Sequence, residues 1–141
     1  MRIKKIDKGG YFLDQAPYIS DIISRHDLQN PSQVPLTTDE CKWSPGPIKD
    51  AEDAAVKALC ELTPAAKAMD PEVKAAQSIA GEVLWCSGRT RLDIVYAVSR
   101  CCSLATTEPQ RSQRIGKSIL RYLRGTQSQG LYYPSLSSLK G

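Results

Sequence analysis

The 141-residue chain contains no apolar run that could cross a bilayer. Its longest stretch free of Asp, Glu, Lys and Arg, residues 125–139, is rich in Gly, Ser, Gln and Pro instead. The basic residues near the start, Arg2, Lys4 and Lys5, are followed by no apolar segment of the kind that directs secretion. Five cysteines stand at 41, 60, 86, 101 and 102, an odd number with no two-residue spacing, which argues against a disulfide framework and against a zinc pattern. The single Asn, Asn30, precedes Pro31 and is no glycosylation acceptor. These absences lead us to expect an intracellular protein, cytoplasmic or nuclear, that is neither secreted nor bound to a membrane.

Catalytic vocabulary is equally sparse. His26 is the only histidine and falls at the end of a predicted helix, where it can meet the dipole or lie on the surface. No Ser-His-Asp or Cys-His order is convincing. Asp21, Glu82 and Asp93 are isolated acids, whereas two-metal chemistry needs clustered carboxylates. We therefore expect no catalytic residue, no metal and no cofactor. Leu, Ile, Val and Phe number 30 and Ala another 13, so the core should be thin for the chain's length.

What the chain does have is a lopsided charge. Residues 1–81 carry 10 Lys and Arg against 12 Asp and Glu, while residues 82–141 carry 9 against 3. The whole net charge of +4 thus comes from the second half. A one-sided basic surface points to a polyanion, though ordinary soluble domains carry such an excess too.

Local patterns predict a mainly α chain with a small N-terminal β-hairpin. Ile3 and Ile6 face Tyr11-Phe12-Leu13 across Gly9-Gly10, a hairpin signature. Pro17 opens a short helix with Tyr18, Ile19, Ile22 and Ile23 on one side. Residues 27–49 hold four prolines and no period, which predicts a linker or a strand laid over a surface and anchored by Val34-Pro35-Leu36. An Ala-rich helix-prone stretch, 50–62, ends before Pro64. Asp70-Pro71-Glu72 then reads as an N-cap, a first-turn proline and an acid at the positive end of the dipole. That helix should reach Ser87, burying Val73, Ala76, Ala80, Val83 and Leu84, with Trp85 packed at its end. A second helix should span 92–105 around Ile94, Val98, Cys101 and Ala105, with Cys101 and Cys102 as small core residues. A third, 109–124, should be stopped by Gly125.

The third helix is sharply two-sided. Ile115, Ile119, Leu120, Tyr122 and Leu123 share an arc of about 160° at 100° per residue, and Arg111, Arg114, Lys117, Arg121 and Arg124 share the opposite one. Such a face either is solvated or meets phosphates. The turn Arg89-Thr90-Arg91-Leu92-Asp93 carries the same two readings: Asp93 can cap the next helix while Arg89 and Arg91 stay in solvent or reach a phosphate.

Several segments, taken in order, resemble the Pol polyprotein of copia-type retrotransposons: Ser78-Ile79-Ala80-Gly81-Glu82-Val83-Leu84-Trp85, then Thr90-Arg91-Leu92-Asp93-Ile94-Val95-Tyr96-Ala97-Val98, then Ile119-Leu120-Arg121-Tyr122-Leu123-Arg124-Gly125-Thr126 and Gly130-Leu131-Tyr132-Tyr133. The family typically has Pro where this chain has Leu92. Upstream, Gln15, Tyr18 and Ile19 resemble the family's Gln-x-x-Tyr-Ile helix, and Val34-Pro35-Leu36 its Thr-Pro-Leu. The resemblance covers nearly the whole chain, least well at 48–69. It implies a partial domain between reverse transcriptase and RNase H. In that scheme residues 1–26 are the tail of the polymerase domain and 27–49 a Pro-rich linker; residues 50–124 are thumb-like or connection helices, and 125–141 begin an RNase H-like region.

Neither the family's Tyr-Val-Asp-Asp polymerase motif nor RNase H carboxylates occur, so the resemblance implies a piece without polymerase or nuclease activity. Its partners would be the backbone of an RNA–DNA or DNA duplex, and the palm and RNase H domains of the parent polyprotein. The expected duplex contacts are Arg89, Arg91, Arg111, Arg114, Lys117, Arg121 and Arg124, with Asp70 and Asp93 as structural caps. Met1 is then expected to be an internal methionine of a longer frame, with the hairpin's partner strands encoded upstream. Two rival readings remain, a helical protein-interaction module and a decayed retroelement relic.

Overall fold

The structure, a computed structural model, describes residues 1–7, 9–44 and 70–137. The Ala-rich stretch 50–62 and residues 45–49 lie outside the described residues. Proline and acid signals set the helix starts as expected: α1 spans Ala16–His26, and α3 spans Pro71–Ser87 with the Asp70 carboxylate accepting from the Glu72 N–H at 2.8 Å. A short α2, Thr38–Lys42, lies between them. The second predicted helix is divided into a 3-10 turn, Leu92–Ile94, and α4, Val95–Leu104; α5 spans Pro109–Gly125.

Helix α5 is the hub, packing on α3, α4 and α1. Its Ile115, Ile119, Leu120 and Leu123 are buried, meeting Ile19, Ile22 and Ile23 of α1, Ile79 and Val83 of α3, and Val98 and Cys101 of α4 in one cluster. Full burial of such a side chain contributes roughly 1.5–3 kcal/mol. A thin core suffices because small residues let the helices close up: at Gly116 an added Cβ would lie 2.1 Å from Ile79 Cγ2. The stripe on α3 stops short of two residues expected inside. Leu84 and Trp85 are half exposed, since they fall outside the arc of Val73, Ala76, Ala80 and Val83. Cys101 is buried but Cys102 is exposed, because neighbours on a helix point about 100° apart.

The hairpin forms as read, with β1 at Arg2–Lys5 and β2 at Gly10–Asp14 paired antiparallel from Arg2↔Asp14 to Lys5↔Tyr11. Gly9 and Gly10 take φ of 81° and 125°, values that side chains resist. A third strand, β3 at Leu131–Pro134, pairs with β2 from Gly10↔Pro134 to Leu13↔Leu131. The two ends of the chain, which the sequence assigned to different units, therefore share one sheet of order β1-β2-β3.

The described part of the segment expected to be a linker or a surface strand, residues 27–44, is laid over the helices. Leu28 is buried, and Leu36 and Trp43 pack on the core, whereas Val34, expected as part of the anchor, is half exposed. Trp43 supplies a large apolar area that the proline spacing did not reveal. Among the described residues no helix is long and apolar enough to cross a membrane.

Candidate nucleic-acid interface

The seven cations expected to meet a duplex have divergent environments. Arg91 is 1% exposed and is turned inward. Its guanidinium donates to both Asp93 carboxylate oxygens, at 3.0 and 2.7 Å, and to the Thr126 carbonyl and hydroxyl, at 2.8 and 2.7 Å. It also lies 5.6 Å from the Tyr122 ring centroid. Arg91 thus ties the α3–α4 turn to the end of α5 and is removed from the candidate phosphate contacts. A planar fork with five donors can satisfy all these acceptors at once, which explains why an arginine is buried here.

Asp93 is likewise not a helix cap. It lies inside the 3-10 turn, and neither that turn nor α4 has a side-chain cap at its start. Its carboxylate is taken instead by Arg91 and by the Tyr122 hydroxyl at 2.8 Å. Burial alone would raise this carboxyl, but the bonds from Arg91 and Tyr122 outweigh it and hold Asp93 below the usual carboxylate range.

Arg111 is half withdrawn. Its Nη1 is 2.8 Å from Glu40 Oε2, and its guanidinium carbon lies 3.9 Å from the Trp43 ring centroid. Arg100 holds the same strap by donating to the carbonyls of Trp43 at 2.5 Å and Glu40 at 3.3 Å. Arg124 is exposed, yet its Nη1 donates to the Leu28 carbonyl. Arg89 is exposed and lies over the Trp85 ring, 4.5 Å from its centroid.

Arg114, Lys117 and Arg121 are different. All three are exposed, and no described carboxylate pairs with them. They fall within an arc of about 60° and span roughly 10 Å of α5 at 1.5 Å per residue. Beside them a groove of about 450 Å³ runs between α3 and α5, lined by Glu72, Ala75, Gln110, Gln113, Arg114 and Lys117 among others. The Gln110 and Gln113 amides bond to Glu72, at 3.2 Å to its carboxylate and 3.1 Å to its carbonyl, which keeps that acid on the α3 side. The unneutralised surface is thus narrower than the five-residue face read from the sequence.

Periodicity could not reveal the polar knot between β2 and α3. Gln15 is fully buried; its amide nitrogen donates to the Cys86 carbonyl at 3.2 Å and to Thr90 Oγ1 at 2.8 Å, while its oxygen accepts from Trp85 Nε1 at 3.2 Å. His26 Nε2 lies 2.7 Å from Glu82 Oε2, and Arg25 donates to the other oxygen at 3.0 Å, so α1 is latched to α3 by charge as well as by isoleucines. Among the described residues no group of three His, Cys, Asp or Glu side chains could hold a metal ion. Burial pushes the Cys86 thiol up to about 11, so at neutral pH it is no nucleophile.

Comparison with known proteins finds no matching family model, no matching curated protein and no matching solved structure.

Proposed function

We propose that this chain is the segment between reverse transcriptase and RNase H of a copia-type retrotransposon polyprotein, and that it holds the phosphate backbone of a primer–template duplex without doing chemistry. The family assignment rests on the resemblance of its segments, in order, to that region. The observation that carries the binding reading is the line of Arg114, Lys117 and Arg121, three cations on one exposed face that no described acid neutralises. Charged contacts of this kind position a duplex while reading no base, as sliding over any template requires. Three phosphates engaged would give a slope of log affinity against log salt of about −3.

The test is fluorescence anisotropy of the chain with a labelled RNA–DNA duplex across a salt series. Native protein should bind with that slope and without regard to sequence. Replacing Arg114, Lys117 and Arg121 with Gln should bring the slope close to zero while circular dichroism stays unchanged, because Gln keeps helix propensity. Absence of salt-dependent binding, or equal binding by the folded triple variant, would refute the reading. A protein-docking role draws support from exposed Leu84, Trp85, Leu92, Val95 and Tyr96 around the α3–α4 corner, and it is the reading left standing if the duplex fails to bind.

A further inference from the structure

The sheet carries chemistry that the helical body does not use. In its register Lys5 stands opposite Tyr11, and Tyr11 opposite Tyr133, so these three residues form a row across β1, β2 and β3 on one face. The adjacent row on that face is Ile3, Leu13 and Leu131. Tyr11 and Tyr133 are 51% and 52% exposed, and no sheet residue belongs to the helical core cluster. Among the described residues Lys5 has no ion-pair partner.

On the opposite face the cations are already paired. Arg2 and Lys4 lie 2.9 and 3.9 Å from the buried Asp14 carboxylate, and the Tyr132 ring lies across Gly10, where an added Cβ would come within 3.2 Å of it. That face therefore pairs both of its cations with Asp14, while its Tyr132 is as exposed as Tyr11 and Tyr133. The other leaves a cation and two neighbouring aromatic rings open.

We propose that Lys5, Tyr11 and Tyr133 form a stacking platform for single-stranded nucleic acid, with successive bases on the two tyrosine rings and a flanking phosphate on the Lys5 ammonium. Directly paired residues on neighbouring strands stand about 5 Å apart, a spacing that lets consecutive bases of an extended strand reach both rings. Any base has a face to stack, so the platform is indifferent to sequence. Charge decides between this occupant and a second copy of the chain. Lys5 has no ion-pair partner among the described residues, so a second copy docked face to face would bring two such ammonium groups together, whereas a polyanion would neutralise them.

This surface and ligand differ from those of the α5 line, and the two fail separately. The experiment is anisotropy of the full chain with a labelled oligouridylate, alongside photo-crosslinking to its bromouridine form. Native protein should bind, and crosslinked peptides should contain Tyr11 or Tyr133. Tyr11→Leu with Tyr133→Leu should weaken binding about tenfold or more, while Tyr→Phe at both positions stays near native. Lys5→Gln should reduce the salt slope by about 0.7. The Gln variant of Arg114, Lys117 and Arg121 should keep oligouridylate binding while losing the duplex. The proposal is overturned if the native chain does not bind oligouridylate, or if the folded Leu variant binds it as well as native. Crosslinks confined to α5, equal loss of duplex and single strand on altering either surface, or self-association that shields Tyr11 would overturn it too. Should the Leu variant not fold, the crosslink map and the Lys5→Gln slope decide.

Discussion

Substituting Gly116 with Ala puts a methyl group where α3 and α5 touch. The added Cβ would stand 2.1 Å from Ile79 Cγ2 and 3.5 Å from Cys101 Sγ. Carbon atoms rest at about 3.5–4.0 Å, so the two helices must part by roughly 1.5 Å or Ile79 must leave its rotamer. Overpacking of this kind costs about 1–3 kcal/mol, against about 1 kcal/mol gained from replacing a glycine inside a helix. An approach this close belongs at about 2–3 kcal/mol of overpacking, so the net loss should be about 1–2 kcal/mol, a fall in Tm of about 3–7 °C for a chain of this size. The opposite sign is expected at Gly81, also inside a helix, where nothing lies within 4 Å of an added Cβ. There Gly81→Ala should stabilise by about 0.5–1 kcal/mol. Urea and thermal unfolding followed by circular dichroism measure both. In an Ile79→Ala background the overpacking should vanish and only the propensity gain of the methyl remain, giving a coupling of about 2–3 kcal/mol in the double-mutant cycle. A Gly116→Ala variant as stable as native, or strictly additive effects, would refute the claim that the helices are held at this separation.

Arg91→Met keeps the stem and removes every hydrogen bond of the guanidinium; leaving Asp93 and Thr126 without it should cost about 2–3 kcal/mol, read from the urea midpoint. Acid should destabilise through Asp14 and Asp93. For Asp14 burial pulls the carboxyl upward, but bonds from Arg2 and the Ala16 N–H with the charges of Arg2 and Lys4 win, and like Asp93 it is held below its ordinary value. Their stabilisation is therefore complete above about pH 4 and lost as pH falls through the depressed folded values, and Asp14→Asn should flatten that acid limb in urea titrations. Glu40→Gln frees Arg111 from its only ion pair among the described residues, so duplex binding should gain about 0.9 in salt slope, and an unchanged slope would show that Arg111 stays under Trp43.

How far the sequence reached follows from the range of the forces involved. Helix starts at Pro17, Pro71 and Pro109, the Asp70 cap, the Gly9-Gly10 turn and the apolar stripe of α5 are written in residues a few positions apart, and each is found where local chemistry puts it. Local order also made the surface of α5 basic. It could not say which cations stay free, because that depends on partners distant in the chain: Glu40 and Trp43 for Arg111, the Leu28 carbonyl for Arg124, and Thr126 for Arg91. Arg91 and Asp93 are read as a surface cation and a cap only while Tyr122 and Thr126 are unseen; once α5 is docked, Asp93 and Thr126 claim the buried guanidinium first. Local pattern does not name the neighbour of residues 131–134, since period two tells which side chains share a face and not which strand lies alongside. Tertiary structure alone joined β3 to β2, and with that pairing set Tyr133 beside Tyr11 on an open face.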